Sequence, residues 1–365
     1  MSLTALLGGV LNALNRFAPF AFAPVLFNVS LIAALLLAGV FDSAGVALSY
    51  GVLFAGFLQL GWLVIAALRA GFHLRLRVPR FDGDIKRVFK LMGPGVIGAG
   101  VVHINLFADM MIASFLAGGA ISYLYYADRL NQLPLGVVGI AVGTALLPML
   151  SKALARGDTD DARDLFNRAL EMCLLLALPA ALALAVIPEL LIHVLFERGA
   201  FTADDTAVAA LVLRCYAIGL PAYIAIKVFS TAHWARQDTV TPVRISVVAT
   251  VVNISLSLIL IRYIGVAGIA LGTGVAGWLQ FVMHIFALRG VAAARFDARF
   301  KAAAVKIVVA SAVMAALVCG LDVVLGDGAF ELGIIVVSGM AVYGGLAFLT
   351  GAVDFKLLKP QRLKR

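Results

Sequence analysis

Runs of apolar residues, separated by short polar segments, recur along the whole 365-residue chain. Runs of about twenty apolar residues without strict alternation are typical of helices that span a membrane. The first run, Ser2–Leu14, is too short to cross a bilayer core at about 1.5 Å of helical rise per residue, so it predicts half a span. The later runs predict about ten full spans, near Ala21–Val40, Ala44–Leu68, Phe89–Leu116, Ala120–Leu150, Ala169–Leu195, Ala207–Phe229, Val243–Ile261, Val266–Leu288, Ala303–Leu325 and Gly333–Val353.

The composition excludes a water-soluble domain. Hydrophobic residues make up 63% of the chain and charged residues 13%, with a mean hydropathy of +1.04, whereas a soluble domain is about half apolar and a quarter charged. Backbone groups inside lipid must form hydrogen bonds within the protein, so the spans are helices or a closed barrel. Because the runs are continuous, we predict an all-α polytopic membrane protein with about ten full transmembrane helices and an N-terminal half-helix.

The cations are distributed unevenly between the loops. If every predicted span crosses the membrane, Arg198 and Arg262 fall on one side and nearly all other loop cations fall on the opposite side. Loops rich in Lys and Arg stay in the cytoplasm, so we expect an inner-membrane protein whose C-terminal tail is cytoplasmic. This distribution accounts for the net charge of +9 without nucleic acid as a partner.

The sequence offers little support for catalysis. No Gly-rich phosphate loop follows a strand, and no Ser/His/Asp set can be assembled on one face. Cys173, Cys215 and Cys319 lie far apart without CxxC spacing, and the five histidines lack the spacing of metal ligands. We therefore expect neither an enzyme nor a bound metal or cofactor.

Two charged segments resemble cytoplasmic connectors. Asp158–Glu171 begins with acidic residues, which suit a helix N-terminus, and continues with apolar Leu165 and Phe166. We interpret it as an amphipathic helix that lies at the lipid headgroups before the next span. Arg80–Lys90 is a second segment of this kind.

Several charged residues fall within the predicted spans, where a charge needs a partner or a water-filled cavity. For Arg214 and Lys227 the alternative is that the side chain reaches the membrane interface. For Asp128 and Arg129 the alternatives are helix capping or a structural ion pair. The functional interpretation is a cationic cavity that holds an anionic headgroup, since the arginine fork can bind two phosphate oxygens. The candidate cavity residues are Asn105, Asp109, Asp128, Arg129, Gln132 and Lys227.

Three segments carry distinctive motifs. Met92–Lys152 contains YYADRL and then GTALLPMLS, Ala235–Ile245 is ARQDTVTPVRI, and Leu11–Ser30 is LNALNRFAPFAFAPVLFNVS. Each segment resembles the corresponding part of the MurJ/MviN family of lipid II flippases, and the resemblance covers essentially the whole chain. YYADRL with the following GTALLPMLS is the most specific of these matches.

The resemblance implies a MATE-like fold of the MOP exporter superfamily, with two lobes around a central cavity. It implies that residues 1–79 belong to the N-terminal lobe, 80–290 form the C-terminal lobe, and 291–365 form two extra helices with a basic tail. Those helices would form a groove for the polyprenyl tail of the cargo. The implied activity is the movement of lipid II from the cytoplasmic to the periplasmic leaflet by alternating access. Arg129 matches the family's cavity arginine, but Gln132 stands where the family often has an acid, so Arg129 lacks that partner.

Family members have fourteen helices, and Met1 corresponds to a point midway through the fourth. We therefore expect this chain to be an incomplete form that does not flip lipid II alone, and rescue of a flippase-depleted strain by this chain would contradict that expectation. The implied partners are lipid II, the bilayer and cell-wall synthesis proteins. Two other hypotheses stay open: an exporter of a drug or polysaccharide lipid intermediate, and a non-transporting membrane scaffold.

Overall fold

The computed structural model describes residues 2–14, 16–72, 100, 103–116, 118–141 and 146–352. Within these residues every regular element is helical. The connector Arg80–Lys90, most of the first half of the predicted span Phe89–Leu116, and the tail from residue 353 lie outside the described residues.

The described residues form thirteen α-helices, in agreement with the predicted all-α class. Eight of these are long and apolar enough to cross a membrane. The helices are α1 (Ser2–Ala13), α2 (Ala18–Leu36), α3 (Ala44–Arg69), α4 (103–114), α5 (Ala120–Ala141), α6 (Leu147–Ala155), α7 (Thr159–Val186), α8 (Pro188–Phe196), α9 (Ala203–Ala235), α10 (Val240–Ile264), α11 (Ala267–Ala287), α12 (Ala298–Leu325) and α13 (Ala329–Leu349). The prediction of a short N-terminal helix is confirmed by α1, which has 12 residues.

The prediction that Asp158–Glu171 forms an amphipathic helix with acidic residues at its start is confirmed, but the interpretation of this helix as a connector separate from the next span is wrong. This segment forms the first turns of α7 and continues without a break into the apolar part of the helix. Asp158 caps the helix, because its Oδ1 accepts a hydrogen bond from the Asp161 N–H at 3.0 Å. The predicted span that follows is also divided, since α7 ends before Ile187 and Pro188 begins α8.

The chain divides into two compact units, Met1–Ile85 and Lys86–Arg365. In the first unit, Leu7 and Leu11 of α1 pack against Leu63 and Ala67 of α3. The amide of Gln59 is buried and donates a hydrogen bond to the Ala23 carbonyl of α2 at 2.8 Å. A polar side chain inside an apolar bundle is thus satisfied by the backbone of a neighbouring helix.

In the second unit, α9 is the central helix and packs against α5, α7, α8 and α11. Phe229 of α9 makes edge-on contacts with Phe166 of α7 and Phe281 of α11, at ring-centroid distances of 5.2 and 5.4 Å. Nearer the start of α9, Gly219 lies against Gly274 of α11. A Cβ atom on Gly219 would stand 2.6 Å from the Gly274 Cα, so two glycines allow these backbones to approach closely.

We expect Gly219→Ala to lower the free energy of unfolding by about 1–3 kcal/mol, because the added methyl group meets backbone rather than a movable side chain. Gly344→Ala is the matched control, since Gly344 is also helical but has open space around it. The control should change stability by no more than about 1 kcal/mol. Unfolding by SDS in mild detergent measures both variants, and equal effects would contradict the close approach.

The last two helices also belong to the second unit. Met314 and Val318 of α12 and Ile335 of α13 pack in one cluster with Ile187 and Leu190. The Tyr343 hydroxyl donates a hydrogen bond to a backbone carbonyl of α7 at 2.6 Å. The cluster and this bond fix α12 and α13 against α7 and α8.

A buried ion network joins the start of α7 to the start of α12. The Arg168 guanidinium donates hydrogen bonds to Glu171 and Asp297, and its Nε lies 3.3 Å from Asp164 Oδ1. Asn167 accepts a hydrogen bond from the Asp297 N–H at 3.1 Å. Asp297 is also the N-cap of α12. The same carboxylate therefore accepts a hydrogen bond from the first turn of α12 and one from Arg168.

The turn between α9 and α10 is fixed by Asp238. Its carboxylate accepts hydrogen bonds from the Thr241 N–H at 3.0 Å and from His233 Nδ1 at 3.0 Å. Partial burial alone would raise the pKa of Asp238, but these hydrogen bonds outweigh it and lower the pKa to about 2. Asp238 is therefore ionised throughout the physiological pH range and holds the start of α10 in place.

Candidate functional site

A cavity of about 680 Å³ lies inside the second unit, between α4, α5, α9, α10 and α11. Its lining combines amides, hydroxyls and two phenol rings with a smaller number of apolar side chains. Among the described residues that line it, Asp128 and Lys227 are the charged ones. The polar lining residues are Asn105, Asp128, Asn131, Gln132, Tyr216, Tyr223, Lys227, Ser246, Thr250, Asn253, Thr273 and Gln280.

One wall of the cavity comes from α5, where helical spacing brings three polar side chains together. Gln132 Nε2 donates a hydrogen bond to Asp128 Oδ2, one turn earlier. Gln132 Oε1 accepts a hydrogen bond from Arg129 Nη1 at 3.4 Å. Gln132 thus joins a residue that lines the cavity to Arg129, which is exposed and is not part of the lining.

The Arg129 guanidinium is held above an aromatic ring. Its Cζ lies 4.5 Å from the centroid of the Tyr125 ring, which is a cation–π geometry. Within the described residues, Arg129 forms no ion pair with a carboxylate. Its charge is therefore available to an anion that approaches the exposed face.

The opposite wall contains a buried polar network. Asn253 Nδ2 of α10 donates to Asn105 Oδ1 at 2.8 Å and to Asp109 Oδ1 at 3.4 Å, which ties α10 to α4. Asn253 Oδ1 accepts hydrogen bonds from Ser257 at 3.2 Å and from Thr273 of α11 at 3.4 Å. Asp109 is buried, lies outside the cavity lining and accepts hydrogen bonds from the amides of Asn105 and Asn253.

The two cations of α9 have different surroundings. Lys227 lines the cavity and makes no ion pair with any residue in the described part of the chain. Arg214 instead pairs with both Glu189 oxygens at 3.0 and 3.1 Å and donates to the Ala185 carbonyl. Arg214 is thus a structural link between α9 and α8, and whether its side chain also reaches the membrane interface stays a prediction.

The structure brings most of the predicted site residues together. Four of them line the cavity: Asn105, Asp128, Gln132 and Lys227. Asp109 lies outside this lining and accepts hydrogen bonds from Asn105 and Asn253. Arg129 lies next to the cavity and donates a hydrogen bond to Gln132. Their roles as cargo-binding residues stay predictions. Within the described residues, no group of three His, Cys, Asp or Glu side chains could hold a metal ion.

Of the uncharged polar residues in the lining, sequence reasoning singled out Asn105 and Gln132 and missed the others. Ser246, Thr250 and Asn253 lie four and three residues apart and therefore occupy one face of α10. Because three polar residues recur at helical spacing inside an apolar span, the sequence alone could have predicted that this face of α10 lines a cavity. Tyr223 and Gln280 were not singled out either, although Tyr223 lies four residues before Lys227 and Gln280 lies seven residues after Thr273, so each shares a helix face with another lining residue.

Comparison with known proteins matches residues 1–337 to the family model described as lipid II flippase MurJ. A probable lipid II flippase MurJ of Rhizobium tropici is 40% identical over 379 residues, which cover 100% of this chain and 71% of that protein. A probable lipid II flippase MurJ of Rhizobium meliloti (strain 1021) is 39% identical, over 98% of this chain and 70% of that protein. A solved structure of lipid II flippase MurJ in an inward closed conformation superposes with a TM-score of 0.79 and 25% identity, over 98% of this chain and 72% of that structure.

Proposed function

Since the chain belongs to the MurJ family of lipid II flippases, we propose that Arg129 and the adjoining cavity bind the headgroup of lipid II while it moves from the cytoplasmic to the periplasmic leaflet. The family assignment confirms the predicted all-α exporter fold and makes the protein a transporter rather than an enzyme. It also places the protein in the bacterial inner membrane, where it crosses the bilayer several times.

The observation that carries the proposal is the polar cavity beside an unpaired, exposed arginine. Polar and charged groups at membrane depth are costly, and they are retained where they line the path of a cargo. Arg129 presents a planar fork whose geometry suits a diphosphate. Gln132 accepts a hydrogen bond from Arg129 without neutralising it, which an acid at that position would do.

We also infer the orientation and the handling of the lipid tail. The excess of Lys and Arg in the loops on one side supports a cytoplasmic C-terminal tail. The packing of α12 and α13 on α7 and α8, outside the cavity lining, supports a separate role for residues 291–365 in holding the polyprenyl tail. Binding to cell-wall synthesis proteins stays a prediction, which co-purification from membranes would test.

Binding of lipid II to the purified chain tests the proposed function. We expect saturable binding that undecaprenyl phosphate, which lacks the headgroup, does not compete away. Absence of lipid II binding would overturn the proposal, and tighter binding of a drug would favour the other exporter hypothesis. Flipping by the chain in proteoliposomes is a separate measurement, because the R. tropici relative is longer than this chain.

A further inference from the structure

We propose that Tyr125 is a positioning residue for Arg129, whose ring holds the guanidinium in place and leaves its charge and one pair of N–H groups free for an anion. This inference rests on the proposed function, because it explains how the arginine of that site is ordered before the cargo arrives. Tyr125 acts through Arg129 and needs no contact of its own with the cargo.

Within the described residues, the ring contact and the hydrogen bond of Arg129 are both made to uncharged groups. Its Cζ lies 4.5 Å from the centroid of the Tyr125 ring, one helical turn earlier, and its Nη1 donates to Gln132 Oε1 at 3.4 Å, one turn later. A carboxylate partner would compete with a diphosphate for the same N–H groups. Arg214 shows that alternative, because its Nη2 donates to both oxygens of Glu189.

This arrangement leaves one edge of the Arg129 guanidinium free. Its hydrogen bond to Gln132 uses Nη1, whereas Nε and Nη2 donate to no group in the described part of the chain. The N–H groups of Nε and Nη2 lie side by side and can bind two oxygens of one phosphate. Because an aromatic ring contacts a guanidinium through its face, Tyr125 leaves this edge open.

The Tyr125 ring is itself held by a row of aromatic rings. Its centroid lies 6.2 Å from that of Tyr126, and the two rings meet edge to face. Tyr126 packs against Phe196 of α8 at a centroid distance of 4.8 Å and against Phe201, before the start of α9, at 5.3 Å. The row therefore connects Arg129 to residues outside α5, so the position of its guanidinium does not depend on α5 alone.

Ordering of the arginine before the cargo arrives favours binding. A flexible arginine side chain samples many rotamers, and fixing one of them opposes the binding of an anion. A ring contact that already exists in the free protein removes part of this cost. The alternative is that Tyr125 and Arg129 form only a local pair at i,i+4 spacing, which would stabilise α5 without any effect on affinity.

Two substitutions of Tyr125 test the proposal by titration of the purified chain with undecaprenyl diphosphate and with lipid II. Tyr125→Leu removes the ring, and we expect it to weaken the binding of both lipids by the same factor, about 3- to 10-fold. Tyr125→Phe keeps the ring, so its affinities should stay within about 2-fold of the wild type. Tyr263→Leu is the control, because Tyr263 is 79% exposed and makes no cation–π contact among the described residues.

A graded series of rings separates positioning from packing. Phenylalanine with one, two or three ring fluorines at position 125 keeps the shape of the ring but weakens the negative face that attracts a cation. We expect the affinity for undecaprenyl diphosphate to fall stepwise as fluorines are added. Equal affinities across the series would show that the ring only packs. The series also decides the question if Tyr125→Leu fails to fold.

A double-mutant cycle tests whether Tyr125 acts through Arg129. In the Arg129→Ala background, Tyr125→Leu should change the affinity for lipid II by less than about 2-fold, because the group that it positions is absent. A further loss as large as that in the wild type would show that Tyr125 contacts the cargo directly. That result would overturn the positioning role.

The outcomes separate this inference from the proposed function. Normal lipid II binding by Arg129→Ala would refute the proposed function, and this inference with it. Weakened binding by Arg129→Ala together with normal binding by Tyr125→Leu would overturn the inference alone. Equal losses from Tyr125→Leu and Tyr125→Phe would do the same, since the hydroxyl would then be the group that matters.

Discussion

Arg168→Ala is expected to lower the free energy of unfolding by about 3–5 kcal/mol, which is the usual result of removing one partner from a buried ion network. The Arg168 side chain is 7% exposed, and that of Glu171 is 8% exposed. Without the guanidinium, Glu171 and Asp297 lose the hydrogen bonds that offset their burial. Unfolding by SDS in mild detergent measures the loss.

Arg156→Ala is the matched control for Arg168→Ala. Arg156 also pairs with an aspartate, Asp161, at 3.0 Å, but its side chain is 66% exposed. An exposed ion pair contributes about 0–1 kcal/mol, so the control should be nearly neutral. Equal destabilisation by the two variants would show that burial of the network is not the cause.

The same network explains where the sequence-based prediction of the fold was incomplete. Apolar runs identify the spans because only helices of sufficient length satisfy the backbone in lipid. They do not show whether a charged segment beside a span ends the helix or continues it. Asp158–Glu171 was interpreted as a surface connector, yet Asn167 and Arg168 near its end are buried and contact Asp297 at the start of α12. These contacts join residues about 130 positions apart, as the separation of Asn167 and Asp297 shows, so no local pattern reveals them.

The charged residues were the most predictable part of the site, and the uncharged Asn105 and Gln132 were predicted with them because they lie near Asp109 and Arg129 in the sequence. A carboxylate or cation inside an apolar span is conspicuous, and this feature identified Asp109, Asp128 and Lys227 before their contacts were known. Neutral amides such as Asn131 and Gln280 are less costly in helices and therefore less conspicuous. Which polar residues share one cavity depends on the packing of five helices, and the sequence of a single helix does not specify it.

Arg129→Ala is expected to weaken lipid II binding by about 10- to 100-fold, since a charge-assisted hydrogen bond contributes about 1.5–3 kcal/mol. The same change should abolish flipping in any form of the protein that rescues a flippase-depleted strain. Arg129 is exposed and its contacts are local, to Tyr125 and Gln132, so the variant should remain folded and present in the membrane. Titration with fluorescent lipid II measures the affinity.

Two further variants identify the property of Arg129 that matters. Arg129→Lys keeps the positive charge but loses the planar fork, so we expect an affinity between those of the wild type and Arg129→Ala. Arg262→Ala removes an exposed cation from the end of α10 and should bind lipid II normally. If Arg262→Ala weakened binding as much as Arg129→Ala, the effect would come from net charge. Normal binding and flipping by Arg129→Ala would refute a role for this guanidinium in holding the diphosphate.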